Sequence, residues 1–201
     1  MTNFFKNYSM RIIIFSVAMC GLMLELLMSR IADYHIGHFN SYIAIPIALF
    51  GLALGSLYVH FKKVDEKNID LKKQIGIMLI ATAGILFLLF LILKLFFPVI
   101  GAYNYKNTQL GGLIFLKTLI FIVSFVSIFF LFGRLLTTIY FVGRNEIGKL
   151  YSADLTGAAL ACLLTPFLLH FFNLTNIFFL IFLVLIGLYV LLEDMPQKTK
   201  L

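Results

Sequence analysis

Two acids, Glu25 and Asp154, are the residues of this sequence whose type and setting best suit them to chemistry. Each sits inside a long apolar run, in a chain of 201 residues that holds only 9 Asp and Glu. An ionisable side chain at membrane depth costs about 2.5–3.5 kcal/mol at the centre of a helix, so such groups are paired, functional, or both. A carboxylate there can hold a proton or replace part of a cation's hydration shell. The structural alternative is a polar staple that ties one helix to a basic residue on the next. Glu25 lies about 14 residues into the first apolar run, roughly 20 Å at 1.5 Å per residue, and Lys117 enters the fourth run from the other side to a similar depth. Arg30 follows Glu25 by five positions, roughly 140° around a helix, and shares its face poorly. Asp154 stands one turn into the fifth run, where the helix dipole favours an acid, and Arg134 is at comparable depth in the fourth. The expected pairs are therefore Glu25–Lys117 and Asp154–Arg134. The two acids come out about 15 Å apart along the membrane normal, too far for one carboxylate dyad.

Other candidates are weaker. Asp33, His35 and His38 are three metal-type ligands in one loop, but a solvated loop explains them better. His60, His170 and Lys94 stand at the ends of apolar runs, where snorkelling accounts for them. Cys20 and Cys162 lie inside apolar runs with no CxxC or metal spacing, and are read as buried, inert thiols. The sequence has no Gly-rich phosphate loop, no HExxH and no GxSxG, and no nucleophile–base pair or metal cluster stands out. No cofactor and no metal are expected.

The elements that must position these residues are helices in a bilayer. Of the 201 residues, 62% are hydrophobic and 12% charged, with 23 Phe and no Trp. Soluble domains run at about 45–50% apolar and about 25% charged. Six segments are long enough for a span of about 20 apolar residues, at 11–29, 42–61, 75–97, 113–133, 150–170 and 174–192, with a short polar tail at 193–201. The fourth run continues to Tyr140, too long for one straight span, so Gly133-Arg134 is expected to mark a bend or the inner interface. No small-x-small site closes the first run, which is read as a retained helix rather than a signal peptide. The fold class is an all-α polytopic helix bundle in a single domain.

Charge gives the orientation. The net charge is +7, but the basic residues lie in loops, which points to topology rather than to nucleic acid. Lys6 and Arg11 precede the first span; Lys62, Lys63, Lys67, Lys72 and Lys73 fill the second loop; Arg144 and Lys149 stand in the fourth; Lys198 and Lys200 are in the tail. The alternate loops are poorer, so the positive-inside rule places both termini in the cytoplasm.

Small residues mark the contact faces, because helices in lipid associate through close backbone approach. Gly51 and Gly55, followed by Ser56, form such a face in the second span, and Ala153, Gly157 and Ala161 form one in the fifth, beside Ala158 and Cys162. The second and fifth helices are accordingly expected inside the bundle, with the Phe-rich third, fourth and sixth toward lipid. Pro46 and Pro166 are expected to serve packing.

Several segments also read together. Gly21-Leu-Met-Leu-Glu25 and Ser29-Arg30 are followed by Gly37 and Ser41, then Phe50-Gly51-Leu-Ala-Leu-Gly55-Ser56, then Gly143-Arg144 and Leu150-Tyr151-Ser-Ala-Asp154-Leu-Thr-Gly157-Ala158-Ala159. In this order they resemble the membrane region of bacterial membrane-bound spermidine synthase-like proteins, polyamine aminopropyltransferases with a multi-helix N-terminal domain. The likeness covers residues 11–185. It departs at Leu24 and Met28, where the family carries aromatic residues. The aminopropyltransferase domain, which the resemblance implies should follow and bind decarboxylated S-adenosylmethionine and a diamine, is not among these residues. The family's catalytic residues therefore have no counterparts here.

The resemblance, taken with the cytoplasmic termini, leads to the expectation of a non-catalytic module of the bacterial inner membrane. Its expected partners are the bilayer, a cytoplasmic aminopropyltransferase-like protein, or a second copy of itself, with no nucleic acid. The alternative is a small transporter or channel component for a cationic solute such as a polyamine, built on Glu25 and Asp154.

Overall fold

No water is available in the hydrocarbon region to satisfy backbone N–H and C=O groups, so long apolar runs close their hydrogen bonds within themselves. In the computed structural model they do so as six helices: α1 (Thr2–Ile36), α2 (His38–Phe61), α3 (Leu71–Phe96), α4 (Leu110–Val142), α5 (Ile147–Phe171) and α6 (Leu174–Glu193). The structure describes the backbone of residues 2–36, 38–61, 71–96 and 110–193, and the side chains of residues 10–33, 42–61, 73–92 and 119–193 apart from Asn145. All six helices are long and apolar enough to cross a membrane. The fold is an all-α six-span bundle, and six crossings bring the start of α1 and the end of α6 to the same end, the terminal end.

Two seams organise the bundle. One joins α2 to α4, the other α1 to α5, and α1 also packs against α2, α4 and α6, while α3 bridges α4 and α6. Helices within each seam run parallel. Gly51 faces Phe129 and Val126, whereas Gly55, one turn on, faces Phe130 and Arg134. A Cβ on Gly51 would come 2.7 Å from the Phe129 Cβ, and one on Gly55 would strike the Phe130 carbonyl oxygen. Gly133 answers from the other side, lying on the Leu52 carbonyl. In the second seam Gly157 lies on the Phe15 carbonyl, and Ala161 and Thr165 continue the buried stripe. Of the small residues read from the sequence, Gly51, Gly55 and Gly157 face a neighbouring helix backbone and Ala161 is buried.

The helices that carry them are not the interior ones. Half of the α1 span is buried (50%), and 44% of those of α3 and α4, against 22% for α2 and 17% for α5. A glycine stripe seats one narrow face deeply and leaves the rest of its helix outside: Leu49, Phe50 and Leu57 of α2 and Leu155, Leu163 and Phe167 of α5 are exposed. The gaps left at the centre need volume, and Phe125, Phe129 and Phe132 of α4 fill them. They share one buried cluster with Leu24, Leu27 and Met28 of α1, and Phe132 lies against Gly21. The expectation of a lipid-facing α4 is thus overturned, as it is for much of α3. Outward α6 residues such as Leu183 and Val190 remain exposed.

Helix α4 runs on without a break through Gly133-Arg134 to Val142. Gly133 serves the seam with α2. Pro46 and Pro166 both lie inside continuous helices. Pro166 cannot donate to the Cys162 carbonyl; beside it the Thr165 hydroxyl donates to the Ala161 carbonyl at 2.7 Å.

Candidate functional site

The described polar side chains gather where α1, α4 and α5 meet at the terminal end. Helix α4 closes with the Gly143 amide donating to the Ile139 carbonyl at 2.9 Å, and a 3-10 turn (Arg144–Glu146) leads directly into α5. Leu150 packs against Gly143, at the spot a Cβ would occupy. This short reversal brings Glu146 beside the start of α1. The Arg11 guanidinium donates through Nη2 to Glu146 Oε2 at 2.5 Å, and Lys149 Nζ approaches Oε1 at 3.5 Å. The hydrogen bond from Arg11 holds the Glu146 carboxyl below its ordinary value; Lys149 adds to this, and partial loss of solvent opposes it. One carboxylate thus ties residues that are far apart in sequence, the short charge-assisted geometry being the strong kind.

A second tie lies deeper. The Tyr140 hydroxyl of α4 donates to Asp154 Oδ2 of α5 at 2.5 Å. Asp154 is therefore stapled, but not by the partner expected for it. Arg134 is at the right depth and on the wrong side. Helix α5 lies against α1, whereas Arg134 belongs to the α2 seam, where its guanidinium sits 4.5 Å from the Tyr58 ring centre and 5.9 Å from that of Phe130. Tyr140 projects roughly 120° around α4 from Arg134, at 100° per residue. In the same seam the Thr137 hydroxyl donates to Ser56 Oγ at 2.9 Å.

Glu25 is different. It is half-buried on α1, and it forms no hydrogen bond or ion pair with any described residue. Lys117, its expected partner, lies outside the described side chains, as do His35, His38 and Lys94. Arg30 is exposed. Because Phe15 registers with Gly157, Asp154 is level with Ile12, and Glu25 lies about 20 Å further along α1. The acids belong to separate places. A tight hollow lined by Leu86, Phe87, Phe90, Phe178, Phe179 and Phe182 and an open cleft beside Phe172 and Asn176 touch neither of them.

The lesser candidates resolve simply. His60 and His170 are exposed at helix ends, each edge-on to the following Phe. Cys20 is buried as expected; Cys162 is exposed, because it stands next to Ala161 and is turned off the contact stripe. Among the described residues no three His, Cys, Asp or Glu side chains converge as a metal site. Sequence reasoning missed Glu146 and Tyr140. The signal for Glu146 is an acid between Arg144 and Lys149 in an otherwise basic loop.

Compared with protein-family models, curated proteins and solved structures, the chain matches none of them. The fold and its polar network define a multi-pass, all-α membrane protein.

Proposed function

We propose that this chain is a non-catalytic membrane module whose terminal end holds a cytoplasmic aminopropyltransferase-like protein at the bacterial inner membrane. The observation that carries the reading is the clustering of polar ties at that end: Arg11–Glu146–Lys149 and Tyr140–Asp154 fix the ends of α1, α4 and α5 to one another. Such ties keep a set of helix ends rigid, and a rigid surface binds at lower ordering cost than a mobile one. Further support comes from the centre of the bundle, which is filled by Leu24, Leu27, Phe125, Phe129 and Phe132, a packing suited to a scaffold. The basic loops assign the terminal end to the cytoplasm, and the sequence resemblance supplies the class of partner. The test is affinity purification of the full chain from its native host with a spermidine synthase assay on the eluate. A second polypeptide that carries aminopropyl transfer supports the module. Repeated recovery of the chain alone, without activity, refutes it.

One observation favours a second reading, a component that moves a cationic solute such as a polyamine. Glu25 is half-buried in the span without a described partner, the condition in which a carboxylate can take a cation or a proton. Glu25→Gln and Asp154→Asn in reconstituted vesicles would then reduce polyamine flux. Unchanged flux in both rules this reading out.

A further inference from the structure

Arg134 is a charged group inside the bundle for which neither the packing nor the proposed function gives a use. Its Cα lies in the tightest part of the α2–α4 seam, where the Arg134 amide nitrogen is 2.8 Å from the place a Gly55 Cβ would occupy. Its guanidinium is laid on a shelf of two rings, Tyr58 at 4.5 Å and Phe130 at 5.9 Å, which themselves meet edge to face with centres 5.7 Å apart. The rings hold the cation by its charge, with Cζ within about 6 Å of both ring centres. They accept none of its five in-plane N–H donors, which are arranged as a fork. No described carboxylate pairs with Arg134, and its Nε is sealed from solvent with no hydrogen-bond acceptor. The nearby Thr137, Ser56 and Thr138 hydroxyls donate to Ser56 Oγ, the Leu52 carbonyl and the Arg134 carbonyl respectively.

A guanidinium held against two aromatic rings, with an in-plane N–H unfilled, suits the oxygens of a phosphate. The surroundings select the source of the phosphate. Arg134 is about 9 Å from the level at which α2 ends, counting from Gly55 to Phe61 at 1.5 Å per residue, within the reach of a snorkelling arginine. Tyr58 and Phe61 beside it are exposed on the outer surface of the bundle, the surface that lipid covers. We propose that Arg134, on the Tyr58–Phe130 shelf, binds the headgroup phosphate of an anionic phospholipid.

The test is native mass spectrometry of the full chain released from nanodiscs of equal phosphatidylglycerol and phosphatidylcholine. Wild type should retain one phosphatidylglycerol in preference to phosphatidylcholine. Arg134→Gln should lower that retention about tenfold or more, the ratio carried by one hydrogen bond to a charged group. Arg134→Lys, which keeps the charge and loses the fork, should fall between them. A wild-type chain with no preference for the anionic lipid overturns the proposal without recourse to a variant. So does Arg134→Gln retaining lipid as wild type does, or a wild-type adduct that has the mass of inorganic phosphate and displaces the lipid when phosphate is added.

Discussion

Replacing Gly55 by alanine should separate α2 from α4. The added Cβ would lie on the Phe130 carbonyl oxygen, 2.8 Å from the Arg134 nitrogen and 3.0 Å from the Phe130 carbonyl carbon. All three are backbone atoms of an intact helix and cannot rotate away, so the helices must part by a good fraction of an ångström. Overpacking of this kind costs about 1–3 kcal/mol. The same movement stretches the Thr137–Ser56 hydrogen bond and lifts Arg134 from Tyr58, so the upper part of that range, about 2–3 kcal/mol, is expected. Gly84 is the matched control: it lies in α3, and a methyl group added there would meet nothing within 4 Å. Its alanine variant should be neutral or slightly stabilising. The assay is unfolding in mixed micelles of a mild detergent and dodecyl sulfate, in a Cys162→Ser background. Buried Cys20 then reports exposure to a thiol reagent. The reasoning is refuted if Gly55→Ala unfolds with wild type, or if Gly84→Ala loses as much stability as Gly55→Ala.

Three further outcomes follow from the same structure. Glu146 has a folded-state value held below its ordinary 4.5 by Arg11; its contribution is present above that ordinary value and is lost as pH falls through the lower one. Glu146→Gln should therefore flatten the acid limb of a stability-against-pH curve, and an unchanged limb argues against the tie. Tyr140→Phe removes the donor to Asp154 and should cost about 1–3 kcal/mol, with Asp154→Ala less than additive in the double variant; full additivity would show the two groups to be independent. Phe129→Ala at the buried centre should cost about 3–5 kcal/mol, whereas Leu183→Ala, with Leu183 65% exposed, should change stability little; equal losses would contradict the assignment of α4 to the interior.

The six spans were legible in the sequence because the bilayer forces apolar runs of sufficient length to be helices. The contact faces were legible because glycines such as Gly51, Gly55 and Gly157 allow backbones to come so close. Which helices lie at the centre was not. Lipid is as apolar as a helix neighbour, so buried Phe125 and Phe129 carry the same sequence signal as exposed Phe167 and Phe171. The partner of Asp154 was missed for a related reason. Counting residues gives depth, and Arg134 and Tyr140 are both within reach by depth; choosing between them requires knowing that α5 packs on α1 and α4 on α2. Glu146 lay in a loop read only for its positive charges, and its tie to Arg11 joins segments 135 residues apart.

The most direct test of the proposed platform places a photoreactive amino acid at position 147, where Ile147 is exposed beside Glu146, and another at position 173, in the turn between α5 and α6 at the opposite end. Crosslinking is carried out in the native host. The account expects position 147, and not position 173, to capture a soluble polypeptide whose purified complex transfers aminopropyl groups. Capture from position 173 instead, or only lipid adducts from position 147, would contradict it.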